Sequence, residues 1–166
     1  MSIGFRPLTA GDLPLVDDWL HRPHVAEWWR PDETTIPEYV DAIEGRDPTH
    51  LYLILLRGRP VGMIQTYLVS DHPEWEQILQ VGEGVAGVDL LIGEEALIGR
   101  GLGPEILGAF VRDVVFARPG THACVAGVEL ENRRSLRAFE KAGFVPGVVY
   151  EEEGRPHRLM RLERGG

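Results

Sequence analysis

Apolar positions along this chain change period several times, and those changes lay out its elements. Alternation over Ile3–Leu8 predicts a first strand. Asp12 stands as a candidate N-cap before a helix carrying Leu13, Val16, Trp19 and Leu20 on one face, closed by His21-Arg22-Pro23. The segment His24–Pro37, with Glu27-Trp28-Trp29, reads as a loop or short helix, and Thr35 as the cap of a second helix over Glu38–Gly45. Leu51–Arg57 and Val61–Val69 flank Gly58-Arg59-Pro60 and predict a hairpin. Glu83–Ile92 is a nearly continuous apolar strand, followed by helical spacing over Pro104–Phe116, with Pro104 suited to the first turn. A strand over Thr121–Val128 follows, and then a helix over Asn132–Ala142 stopped by Gly143. Val145–Tyr150 and Pro156–Leu162 finish as two strands around Glu153-Gly154. The order βααβββαβαββ alternates strand and helix only in its second half, which favours a mixed sheet over a doubly wound one.

At 166 residues the chain is the length of one domain with a sizeable core. No apolar run approaches the ~20 residues that span a bilayer. The opening MSIGFRPLTAGDLP lacks the basic and apolar regions of a signal peptide, so a cytoplasmic protein is expected. One cysteine, Cys124, sits mid-strand among apolar neighbours, which excludes a disulfide framework and reads as core. The six histidines show no metal-ligand spacing, and no metal is expected. A net charge of −9 argues against a nucleic-acid partner and fits a cationic small substrate, although acidity also simply keeps a protein soluble.

The most informative stretch is VAGVDLLIGEEALIGRGLG, Val85 to Gly103. A buried strand with one carboxylate, Asp89, leads through an acidic loop to Gly99-Arg100-Gly101-Leu102-Gly103 and a helix. Glycines allow close backbone approach and a helix N-terminus favours an anion, so the pattern suggests a phosphate-bearing cofactor held next to a base; read alone, the glycines also fit an ordinary tight turn.

Together with Asn132-Arg-Arg-Ser-Leu-Arg-Ala-Phe-Glu-Lys-Ala-Gly-Phe144 about thirty residues later, the glycine run makes the chain similar to the GNAT superfamily of N-acetyltransferases over nearly its whole length. Within it the chain resembles aminoglycoside 6'-N-acetyltransferases through Trp19-Leu-His-Arg-Pro-His24-Val, Glu27-Trp28-Trp29, Gly87-Val-Asp89, Ile98-Gly-Arg-Gly-Leu-Gly103 and Glu153-Gly154. The resemblance implies a single GNAT domain over residues 1–166, with a mixed α/β (α+β) architecture and a largely antiparallel central sheet flanked by helices. It also implies acetyl-CoA as co-substrate, an aminoglycoside 6'-amine as acceptor, and a monomer or homodimer. Siderophore-pathway lysine or hydroxylysine N-acyltransferases share the N-terminal H-x-V-x-x-W-W flavour but tend to carry His in the central strand. A third reading is an acyl-CoA-binding module without turnover.

On this resemblance Gly99, Arg100, Gly101, Leu102 and Gly103 would take the pyrophosphate, with Asn132 and Ser135 on the cofactor side. Backbone groups at Leu91 and Ile92 would bind the pantetheine and polarise the thioester; read without the family, those residues are simply core. Asp89 would serve as base and substrate anchor, directly or through a water; a salt-bridged strand residue is its other reading. Trp28, Trp29 and Trp75 would wall the sugar rings, although adjacent Trp28 and Trp29 cannot both present to one face. Glu153 would bind an ammonium, with Glu83, Glu151 and Glu152 nearby in type. Two departures stand out. Phe139 replaces the Tyr that many GNAT enzymes use to protonate the departing thiolate, and Gly127 stands near where aminoglycoside enzymes tend to have an Asp.

Overall fold

The computed structural model describes residues 2–165; Met1 and Gly166, the ends of the expected domain, lie outside the described residues. Its strands are β1 (Ile3–Pro7), β2 (His50–Leu56), β3 (Arg59–Leu68), β4 (Val85–Ile92), β5 (Ala123–Glu129), β6 (Val145–Glu152) and β7 (Arg155–Glu163). Its helices are α1 (Leu13–Leu20), α2 (Pro23–Trp29), α3 (Thr35–Ile43), α4 (Pro73–Leu79), α5 (Leu102–Phe110) and α6 (Arg133–Lys141). The strands form one sheet in the order β1-β2-β3-β4-β5-β7-β6. The β1–β2, β2–β3, β5–β7 and β6–β7 ladders are antiparallel, and β4 runs parallel to β5 over Val85–Gly87 against Ala123–Val125. A mixed, mostly antiparallel sheet with helices was the expected class. The chain groups into two compact units: one runs to Thr66 and takes in Asp89–Arg100, while the other holds Tyr67–Val88 and the chain from Gly101 onward.

The first unit buries Val16, Trp19 and Leu20 of α1, Val25 of α2 and Tyr39 of α3 with Leu51, Leu53, Met63 and Leu91 of the strands. Asp12 takes the expected N-cap position of α1, but its side chain makes no capping bond to that helix. Its carboxylate accepts from the Thr9 amide at 2.9 Å and from Arg6 at 3.0 Å, closing the short turn ahead of the helix. Residues left open between loop and helix form α2, begun by Pro23, where a missing N–H costs nothing, and ended by Arg30 at φ 44°. Thr35 is the first residue of α3 rather than its cap; its hydroxyl accepts from the Asp32 amide at 3.1 Å. The β2–β3 turn is Arg57-Gly58, with φ of 52° and 79°, the left-handed pair that a two-residue hairpin requires. Pro60 therefore falls inside β3, next to a register shift at Ile54/Leu55, where a missing donor is tolerated.

In the second unit Val69, Val85, Ala123, Val125 and Leu159 form a core onto which Tyr67, Trp75, Leu79 and Tyr150 pack. Helix α4 was not expected. Helix α5 starts two residues before Pro104 and widens into a π-helical turn over Val111–Val115. Asn132 caps α6, its side chain accepting from the Ser135 amide at 3.3 Å. Glu153 and Gly154, at φ 52° and 76°, repeat the left-handed turn between β6 and β7.

Candidate active site

Strand β4 is buried on both faces from Val85 to Val88 and then opens, leaving Asp89, Leu90 and Ile92 partly exposed around buried Leu91. Asp89 is thus the one acid of an apolar strand at the point where burial becomes partial. Its Oδ2 accepts from the Gln65 amide at 3.0 Å. Burial raises the Asp89 carboxyl above its ordinary value of 3.8, and the Gln65 bond pulls it back in part. Tyr39 of α3 is buried in the same unit: burial first, and the Asp89 charge after it, push its phenol up. A carboxylate with raised proton affinity is a better base than an ordinary Asp. Gln65 and Tyr39 were not anticipated. Gln65 left one signal, a lone amide in the apolar run Val61–Val69; Tyr39 left none, since it fits the buried face of α3.

Beyond Asp89 the strand is held from two sides. A Cβ on Gly62 of β3 would collide with the Leu91 carbonyl, and the Gly93 amide donates to Val61 at 2.8 Å, so the Leu91 carbonyl and the Gly93 N–H face β3. Alternation along a strand turns the N–H and C=O of Ile92 to the opposite edge. There the Ile92 carbonyl accepts from Nε2 of His24 at 3.0 Å. One residue on, the Gly93 carbonyl accepts from Arg22 at 3.0 Å, and the same guanidinium reaches Glu94 at 3.3 Å and Asp18 at 2.8 Å. The Trp19 ring lies against Gly93 where any side chain would sit. The segment Trp19–His24 therefore fastens the exit of β4. As for the residues expected to hold pantetheine, the Leu91 side chain belongs to the core, while Ile92 faces outward at the backbone.

Gly99 and Gly101 adopt φ of 81° and 75°, and an added Cβ at either would meet nothing within 4 Å. These positions thus need glycine for backbone conformation, and the space beside them is open. Gly99, Arg100 and Gly101 are exposed, Leu102 is buried, and Gly103 follows in the first turn of α5. Amides of that turn and the helix dipole are the groups that could hold an anion here. Asn132 and Ser135 are bonded to each other at the start of α6.

Trp28 and Trp29 lie on α2; Trp29 packs on the first unit's core and Trp28 is partly exposed. Trp75 packs on the second unit's core. Glu153 projects from its turn, 81% exposed, with Arg155 at 3.8 Å. Phe139 is buried and meets Phe144 edge to face at 5.0 Å. An added Cβ at Gly127 would meet the Tyr150 hydroxyl, so a side chain there would require the Tyr150 ring to move. Cys124 is buried and free. Among the described residues no group of three His, Cys, Asp or Glu side chains could hold a metal, and no helix is long and apolar enough to cross a membrane.

Comparison with known proteins gives this arrangement a family. The acetyltransferase (GNAT) domain pattern matches residues 9–151. The aminoglycoside N(6')-acetyltransferase type 1 of Klebsiella pneumoniae is 31% identical over 162 residues, covering 92% of this chain and 79% of that one. The crystal structure of aminoglycoside acetyltransferase AAC(6')-Ib with coenzyme A and kanamycin superposes with a TM-score of 0.88 at 29% identity, covering 98% of this chain and 95% of that one. The same enzyme with paromomycin and acetyl-CoA gives 0.89 at 28% identity, covering 99% and 94%. The protein belongs to the GNAT acetyltransferase family.

Proposed function

We propose that this protein transfers the acetyl group of acetyl-CoA to the 6'-amine of aminoglycosides, with residues 1–166 working as one acetyltransferase domain. The observation that carries the reading is Asp89: a carboxylate of raised proton affinity, held by Gln65, three residues before an outward-facing backbone and ten before a glycine turn that opens a helix. Similarity to enzymes named for aminoglycoside 6'-acetylation supplies the substrate class. Acetyl-CoA fits the chain's own donors: the open, left-handed Gly99 and Gly101 and the α5 amides suit its pyrophosphate, and the thioester it supplies is the acyl donor.

The amine nitrogen forms a bond to the thioester carbonyl carbon, and the carbon–sulfur bond breaks. Asp89 takes the amine proton, directly or through a water. The Ile92 amide, on the edge turned away from β3, would donate to the carbonyl oxygen as charge develops. With Phe139 in place of a hydroxyl, the thiolate leaves as its anion, which costs only ~2 kcal/mol at pH 7 for a thiol of pKa about 8.5.

A thiol-release assay with acetyl-CoA tests the reading against kanamycin, a 6'-hydroxyl analogue, lysine derivatives and polyamines. Kanamycin is expected to be acetylated and its 6'-hydroxyl analogue spared. Equal acetylation of both analogues would refute the regiochemistry. Turnover confined to lysine derivatives would move the substrate to the siderophore class, and acetyl-CoA binding with no acceptor would leave a non-catalytic module.

A further inference from the structure

We propose that His24 is a positioning residue for acyl transfer: it occupies the Ile92 carbonyl so that the same edge of β4 presents the Ile92 N–H to the acyl group. This rests on the acetyl-transfer reading above. A carbonyl accepts only, so the 3.0 Å contact makes Nε2 the donor and fixes the ring tautomer. Nδ1 is then buried with no hydrogen-bond partner among the described residues, its nearest acid being Glu95 at 4.0 Å. An unpaired buried nitrogen costs stability, and the ring holds its place despite that cost.

The reason lies in what the edge would otherwise show. Ile92 turns both its N–H and its C=O away from β3. An uncovered carbonyl would set a negative dipole beside the oxygen on which charge develops. With His24 bonded to it, that dipole is compensated and the donor remains. The neighbouring peptides leave no slack, since Gly93 donates to Val61 and its carbonyl is taken by Arg22. Trp19, Arg22 and His24 belong to the motif that marks the chain's N-terminal resemblance, and in the structure all three act on residues 92–94.

Three variants separate this role from mere packing. Gln in place of His24 puts its amide nitrogen the same number of bonds from Cα as Nε2. Asn puts it one bond short, and Leu removes it. In the thiol-release assay His24→Asn and His24→Leu are expected to lose about 10- to 100-fold in kcat, below the roughly 10²–10³ cost of deleting an oxyanion donor. Acetyl-CoA affinity should change little, because the bond matters when charge develops. His24→Gln should keep most of the rate. Wild-type kcat in the Asn variant, or Gln failing as badly as Leu with unchanged melting, overturns the proposal. Amide exchange gives a second readout: acetyl-CoA should protect the Ile92 amide in wild type and His24→Gln, and not in His24→Asn. Should the wild type acetylate no aminoglycoside, the substrate reading fails while this protection still decides the role of His24. An Ile92 amide left unprotected in wild type overturns it.

Discussion

Replacing Asp89 by Asn separates the chemistry of its carboxylate from its cost to the fold. Asn keeps the shape and a hydrogen bond to Gln65 but cannot take a proton or balance an ammonium. A general base contributes typically 10²–10⁴-fold, so kcat/KM should fall by about that much, with acetyl-CoA affinity retained. Stability should move the other way. Because burial raises the folded-state pKa of Asp89 above 3.8, the folded protein holds this proton where the unfolded chain has released it. The carboxylate's contribution to stability therefore declines as pH rises from near 4 through the raised value. Asp89→Asn should consequently melt at or above the wild-type temperature at neutral pH, with the difference vanishing in acid. Near-wild-type kcat/KM in the folded variant would leave Asp89 a structural residue. A lower melting temperature at pH 7 alone would mean the ionised form is better supported than its burial and single amide partner suggest. Asp89 itself was legible in the sequence, as an acid in an apolar strand before a glycine run. Its partners were less so, since Gln65 comes from β3 and Tyr39 from α3, and only strand pairing and the packing of α3 bring them together.

Among the elements, those with long apolar periods were readable and those built from capping and turn chemistry were not. Strand β4, helix α5 and helix α6 follow from spacing alone. Helix α2 was left open between loop and short helix because Pro23 looks like a stop when it is a start, and the seven residues of α4 show too little periodicity to stand out. The turn Arg57-Gly58 was misplaced by one residue because Pro60 also marks turns, while here it tolerates a bulge. The glycine turn before α5 permits a test at this scale. Gly101 sits at φ 75°, a conformation Asn and Asp share with the least strain among side-chain-bearing residues, and the space around it is open. Gly101→Asn and Gly101→Asp thus carry similar strain and differ by one charge. If the turn holds a pyrophosphate, Asp should weaken acetyl-CoA binding relative to Asn by about 1–4 kcal/mol, roughly fivefold to nearly a thousandfold. Calorimetry giving the two variants equal affinity would remove the turn from the phosphate site.

Charge is a property of the whole molecule, and here it distinguishes the two substrates. A net charge of −9 draws a polycationic acceptor toward the protein and repels a polyanionic donor. Long-range attraction is screened within about 10 Å at 0.1 M salt, whereas contacts inside a partly buried site are screened much less. Raising salt should therefore raise KM for the aminoglycoside while leaving kcat nearly unchanged, because screening acts on encounter and binding before the chemical step. KM for acetyl-CoA should fall or stay level, since the same screening relieves its repulsion. Opposite slopes for the two substrates are the signature, measured as each KM against salt with the other substrate saturating. Parallel increases in both would point to a general salt effect on the fold. An aminoglycoside KM indifferent to salt would show that the acidity of the chain has no part in recognising its substrate and serves solubility alone.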